Sequence, residues 1–196
     1  MTKAALNSES IAQLFHDAHT VRQWTSAPVD PDIVQRAYDE AKWAPTAFNA
    51  NPIRLIRVTS PEARATVAQL ASKGNKNSVE SAPVLLLAAY DTNFIDGMEH
   101  MGSSEYVVNM LREADWAPDL APANAWIQLG YMIISLRAQG LDVHPMSGAN
   151  MEGLNQAFLA DSSWKTFMMI CAGHGDPEGI SPRLGRLSFE EASKTV

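Results

Sequence analysis

Between residues 125 and 138 apolar side chains crowd nearly every side of a helical wheel: Trp126, Ile127, Leu129, Tyr131, Met132, Ile133, Ile134 and Leu136 leave Arg137 as the only charge. A helix that is apolar all round belongs in a core or an intimate interface. This one is shorter than the roughly 20 residues of a membrane span and is interrupted by Gln128, Gly130 and Ser135. Gly140 supplies a left-handed stop. Residues 141–144 then read as a short strand entering the turn Pro145-Met146-Ser147-Gly148.

Elsewhere the patterns are shorter. Ser8 caps a helix to about residue 18, with Ile11, Leu14, Phe15 and Ala18 on one stripe. Asp30-Pro31 opens a second helix that turns Ile33, Val34, Ala37, Tyr38 and Ala41 inward and stops at Pro45. Residues 52–59 are strand-like, Ser60-Pro61 starts a helix, 73–77 form a polar loop and 83–90 a buried strand. A helix over 104–115 precedes the proline-punctuated connector 116–122. After Gly148 come a short helix ending near Phe158, a strand over 166–172, a polar turn over 174–181 and a tail over 183–189. Four or so strands that do not alternate regularly with helices favour an α+β fold, with residues 1–196 as one domain.

Composition narrows the function. Hydrophobic residues make up 46% of the chain, enough for a substantial core, and 15 Lys and Arg against 22 Asp and Glu give a net charge of −7, which argues against a nonspecific nucleic-acid binder. Residues 1–10 lack the pattern of a secretory signal, so a cytoplasmic protein without a membrane anchor is expected. Cys171 is the only cysteine, which excludes an intrachain disulfide and a cysteine-based zinc site. His174 lies three residues from Cys171, a spacing that on a strand places the two on opposite faces. The closest approach to a dinucleotide fingerprint, Gly173-His174-Gly175-Asp176-Pro177-Glu178, puts Glu178 where the third glycine belongs. No GxxxxGK phosphate loop is present. The acidic pairs Asp39-Glu40 and Glu190-Glu191 fall on helices, where neighbours do not share a face, and read as solvated.

Four separated segments share one theme: His19-Thr20-Val21-Arg22, Ala44-Pro45-Thr46-Ala47-Phe48-Asn49, Pro145-Met146-Ser147-Gly148, and the tail carrying Arg183 and Arg186. In order and spacing they resemble the FMN-dependent nitroreductase family. Within it the likeness is closest to the malonic semialdehyde reductase (3-hydroxypropionate dehydrogenase) branch, through Trp24, Ala82-Pro83-Val84, Gly140-Leu141-Asp142 and Arg186-Leu187-Ser188-Phe189-Glu190-Glu191-Ala192.

The resemblance implies a nitroreductase-like fold, a central mixed sheet flanked by helices, in an intimate homodimer. It also implies bound FMN, with NADH or NADPH as transient donor. Thr20 would meet the ribityl or phosphate end and Arg22 the N1 and C2 carbonyl edge of the ring; alone, Arg22 would read as a surface charge. Pro45, Thr46, Ala47 and Asn49 would reach the flavin of the partner. Asn75 would contact the ring, with Asn77 competing for that role, and the backbone N–H in Pro145-Met146-Ser147-Gly148 would face flavin N5. Arg186, and less directly Arg183, would hold the phosphate. Family members often carry an arginine where this chain has Ala18, so one phosphate contact is missing or comes from elsewhere. The implied activity is hydride transfer to a small aldehyde such as malonic semialdehyde, or alternatively to nitroaromatics or quinones. A flavin-binding protein without turnover is the alternative from another class.

Overall fold

The computed structural model describes residues 2 and 4–196. Its centre is a four-stranded sheet made of β1 (Ile53–Arg57), β2 (Val84–Asp91), β3 (Asp142–Met146) and β4 (Trp164–Gly173), in the order β1-β2-β4-β3. The sheet expected to be mixed is antiparallel at every pairing within the chain. Leu85 to Ala89 of the central β2 are all buried, as are Met168 to Gly173 of β4. Helices cover both faces, so these strands are apolar runs and not alternating ones. β3 lies at an edge, where Pro145 needs no ladder donor.

One face is covered by α2 (Ile33–Ala41) and α6 (Leu120–Ala138), whose Val34, Ala37, Leu129, Met132 and Leu136 meet Leu86, Val143 and Ile170. The opposite face is covered by α3 (Pro61–Leu70), α4 (Lys76–Ser81) and α7 (Met151–Phe158), through Val67, Val79 and Leu154 against Leu87, Met146, Met169 and Cys171. A third, smaller core gathers Phe94, Met98, Ala117 and Ala121 with Val108 and Leu111 of α5 (Glu105–Glu113).

Several sequence expectations change. The first helix, α1 (Ser8–Ile11), is capped by Asn7 and not by Ser8: Asn7 Oδ1 accepts the Ser10 N–H at 2.8 Å. It continues as a π-helical turn over Ala12–His16 with no buried residue, so the expected apolar stripe lies on the surface. In the polar stretch 73–77 only residues 73–75 form a turn, and Lys76 and Asn77 already belong to α4. In the presumed connector 116–122, Pro118 opens a 3-10 turn and Pro122 sits in the first turn of α6, where a missing N–H costs nothing.

The two sides of α6 differ in what they meet. Its buried side carries Asn124, Gln128 and Ser135, while Trp126, Ile127 and Tyr131 are 50%, 45% and 45% exposed. The buried amides cap backbone donors of the chain 47–53: Asn124 Oδ1 accepts from Ala47 N at 2.7 Å and Gln128 Oε1 from Ile53 N at 2.9 Å. Polar residues face inward because backbone donors wait there. Trp126, Ile127 and Tyr131 face outward, while Leu129, Met132 and Leu136 pack on the sheet.

Among the described residues no helix is long and apolar enough to cross a membrane.

Candidate cofactor site

The C-terminal end of α6 abuts two irregular segments, residues 15–22 and 179–186, and the three enclose a cavity of about 430 Å³. Its walls include His19, Thr20, Arg22, Arg183 and Arg186, which the sequence singled out, and Arg137, which it did not. Four of the chain's nine arginines thus line one cavity of a protein with net charge −7. Arg36, Arg54 and Arg112 each pair with a carboxylate, but among the described residues none of the four cavity arginines does. Such a concentration of planar donors without counter-charge suits a phosphate or another dianion.

The tail is held in place by Arg183, whose Nη2 donates to the carbonyls of His16 and Ala18 at 2.7 and 2.8 Å. Arg186 Nη1 donates only to the nearby carbonyls of Leu184 and Gly185. Gln13 Nε2 donates to the carbonyl of Arg137 at 2.7 Å, and Arg137 Nη1 donates to that of Leu14 at 3.0 Å, so the N-terminal segment is fastened to the end of α6. Where Ala18 leaves a cation missing, the structure brings Arg137 to the same cavity.

β3 leads away from this cavity toward a second group. Its buried His144 has no hydrogen-bond partner for Nδ1, and burial, followed by the positive charge of Arg22, holds its imidazole below the usual range. Beyond Met146 the chain turns. Gly148 O accepts from Ser72 N at 2.8 Å and from Asn75 Nδ2 at 3.0 Å. A Cβ on Gly148 would lie 2.7 Å from Asn75 Nδ2 and 2.9 Å from Ser72 Oγ, so only glycine fits beside that pair without displacing it. The N–H groups of Ser147 and Gly148 have no acceptor among the described residues. Asn75 therefore joins the Ser147-Gly148 turn, whereas Asn77 is exposed on α4 and only its carbonyl is engaged, by Ser81.

The remaining expected residues lie elsewhere. Pro45, Thr46, Ala47 and Asn49 form a loop at the N-terminal end of α6, held by Asn124, and Phe48, Asn49 and Asn51 adopt positive φ of 54°, 57° and 44°. Asn124 and Arg137 are separated by 13 residues, about 20 Å along the axis at about 1.5 Å per residue. This loop and the arginine cavity therefore do not meet within one chain.

Cys171 is fully buried on β4, donates Sγ–H to the Ser78 carbonyl at 3.3 Å, and has its thiol pushed up to about 12 by burial, which Arg64 only partly opposes. It is a core residue and not a nucleophile. Sequence reasoning missed Arg137 and His144. The only signal for Arg137 was a lone charge in an otherwise apolar helix.

The fold and this donor set define a class, and comparison with known proteins gives its family. The Nitroreductase family model matches residues 17–174. Over 194 residues the chain is 36% identical to a protein of Rhodopseudomonas palustris (strain TIE-1) named "Putative NADH dehydrogenase/NAD(P)H nitroreductase", covering 98% of this chain and 99% of that one. A protein of the same name from Caulobacter sp. (strain K31) is 35% identical over 199 residues, 98% of this chain and 100% of the other. Two solved structures share the fold. A nitroreductase family protein from Streptococcus pneumoniae TIGR4 superposes with TM-score 0.81 at 23% identity, over 95% of this chain and 100% of that one. A "putative nitroreductase in complex with FMN" from Exiguobacterium sibiricum 255-15 superposes with TM-score 0.82 at 20% identity, over the whole of both chains.

The chain belongs to the nitroreductase family, whose members are FMN-dependent NAD(P)H oxidoreductases. The residues present fit that cofactor: unpaired arginines for its phosphate, and unpaired backbone N–H groups beside Asn75 for its ring.

Proposed function

We propose that the chain works as a cytoplasmic homodimer with two composite FMN sites, passing reducing equivalents from NADH or NADPH to a small aldehyde such as malonic semialdehyde. The observation that carries this reading is the cavity of four carboxylate-free arginines, with a strand running from it to the free N–H groups of Ser147 and Gly148. FMN, when bound, supplies the hydride chemistry. The protein binds, orients and polarises. Arg183 and Arg186 hold the phosphate, Thr20 donates to the chain between phosphate and ring, and Arg22 lies at the carbonyl edge of the ring. Asn75 stays fixed by Gly148 O through Nδ2 and keeps Oδ1 as an acceptor. The N–H groups of Ser147 and Gly148 point to the reacting side. The loop 45–49 comes from the second subunit.

The aldehyde is favoured by the segments around Trp24, Pro83 and Asp142 and by the tail 186–192. A second reading, reduction of nitroaromatics or quinones, is favoured by an exposed aromatic pair beside Asn49. The Phe48 and Trp116 rings lie 6.1 Å apart at 30°, each about half exposed, and offer a stacking face to a planar acceptor. Steady-state oxidation of NADH or NADPH with malonic semialdehyde, a quinone and a nitroaromatic separates these readings by kcat/KM. No turnover with any acceptor, despite bound FMN, would leave a flavin-binding protein.

The composite site has its own test. An Arg186→Glu chain and an Asn49→Asp chain, each impaired in FMN binding alone, are mixed and allowed to exchange. Each heterodimer then has one site with both lesions and one with neither, and about one intact site per heterodimer returns. If exchange is verified by mass spectrometry, both variants are folded and no FMN binding returns, the site lies within one chain.

A further inference from the structure

We infer that Arg137 is the inner wall cation of the arginine cavity and grips the phosphate of the bound cofactor together with Arg183 and Arg186; this rests on the FMN reading above. Arg137 is the only charged residue among the 19 of α6. It sits in the last turn, where the carbonyl end of the helix favours a cation. The guanidinium is half-buried and its position is fixed from behind, since Nη1 donates to the Leu14 carbonyl while Gln13 clasps the carbonyl of Arg137 itself. Its donors are not all satisfied: Nε is buried without a hydrogen-bond partner, and no carboxylate forms an ion pair with this arginine, which lines the cavity, among the described residues.

An arginine in that position cannot relieve its burial by losing the proton, as a lysine can. Burial presses its pKa down, Asp142 opposes that, and Arg183 adds to the downward pressure. Arg183 has turned its Nη2 to the carbonyls of His16 and Ala18, which leaves both cations beside the same space with no anion between them. A phosphate in the cavity would accept from the Arg137 fork and screen the repulsion between the two cations. Ala18 lines the same cavity as Arg137.

The competing role is purely structural, with Arg137 serving only to fasten the N-terminal segment to α6 through Leu14. The two roles separate on ligands that differ only in the phosphate. Dissociation constants for FMN and riboflavin are measured by flavin fluorescence on the apo form of the full chain, for the wild type, Arg137→Met and Arg137→Lys. The expected wild type prefers FMN strongly. Arg137→Met should weaken FMN about 10- to 100-fold, the scale of a charge-assisted hydrogen bond, while leaving riboflavin unchanged. Arg137→Lys, which keeps the charge without the fork, should lose only part of the preference. Inorganic phosphate should compete with FMN on the wild type and compete less well on Arg137→Lys.

Equal weakening of both flavins in Arg137→Met would overturn the inference in favour of the structural role. An FMN preference that survives in both variants would overturn it as well, while leaving the FMN reading intact. Should Arg137→Met fail to fold, a wild-type FMN preference undiminished in Arg137→Lys, with unaltered phosphate competition, overturns it. A wild type that binds neither flavin sinks the FMN reading and this inference with it.

Discussion

Gln128→Met should cost about 2–4 kcal/mol, although the new side chain is close to the old in shape and more apolar. Gln128 is 2% exposed and serves two partners: Oε1 accepts the N–H of Ile53 at 2.9 Å, and Nε2 donates to Asn51 Oδ1 at 3.1 Å. Methionine removes both bonds and leaves the Ile53 N–H, at the first residue of β1 and on a residue 6% exposed, without an acceptor. Orphaning a buried donor costs about 1–3 kcal/mol and the lost bond to Asn51 about 0.5–1.5 more. At about 2–4 °C per kcal/mol for chains of this size, Tm falls by about 4–16 °C. Urea unfolding at one fixed protomer concentration is the assay, because the stability of the proposed dimer would depend on concentration. The loop 45–51 should also loosen, since three of its non-glycine residues hold positive φ only while their surroundings enforce it. A loss below about 0.5 kcal/mol at unchanged m would refute the reasoning, because it would mean that water or a backbone shift satisfies Ile53 equally well.

Two further outcomes follow from the site. His144 is held below its usual range by burial and then by Arg22, so the folded state resists its proton; stability is full above the unfolded pKa near 6.5 and falls as pH drops below it. His144→Gln should therefore flatten the stability curve between about pH 7 and pH 5, and parallel urea-derived curves for the two proteins would count against it. Arg22→Ala should lower the potential of bound FMN by about 30–60 mV, since a hydrogen bond to a charged group is worth about 1.5–3 kcal/mol and about 30 mV corresponds to 1.4 kcal/mol in a two-electron couple. An unchanged potential in a variant that still holds FMN would place Arg22 away from the ring.

Local punctuation was legible in the sequence wherever the deciding interaction is itself local. Ser60 caps α3 by accepting from Ala63, and Gly140 takes the positive φ of 82° that its position after α6 suggested. α4 was not legible because six polar-rich residues with only Ser78 and Val79 buried carry no periodic stripe. The two faces of α6 were indistinct because its buried side is set by remote donors, the N–H groups of Ala47 and Ile53, about 75 residues away in sequence. The site shows the same division. His19, Thr20, Arg22, Arg183 and Arg186 were legible as segments, and the fold brings them to one cavity. Arg137 and His144 were not, because each acquires its meaning only from what the fold places opposite it: the tail in one case and Arg22 in the other. Which of Asn75 and Asn77 meets Gly148 also needed the structure, since two residues along a turn-to-helix junction decide it.

α6 links the arginine cavity to the loop 45–49 and also keeps them apart. Its C-terminal end carries Arg137 into the arginine cavity, and its N-terminal end carries Asn124 and Gln128, which fix the loop holding Thr46, Ala47 and Asn49. Between those ends lie Trp126, Ile127 and Tyr131, each about half exposed, on a helix whose opposite side is already packed on the sheet. Burying them requires another surface. In the proposed homodimer that surface is a second α6, and a two-fold axis perpendicular to the pair makes the helices run antiparallel, so that the N-terminal end of each lies beside the C-terminal end of the other. The separation of about 20 Å that divides loop and cavity within one chain is then the distance the partner has to bridge. It does so twice, once at each end. The same contact that covers Trp126, Ile127 and Tyr131 would bring Asn49 of one protomer to Arg22 and Ser147 of the other. Cofactor binding and association are then one equilibrium: FMN, touching both chains, favours the dimer, and dilution that separates the chains releases the FMN.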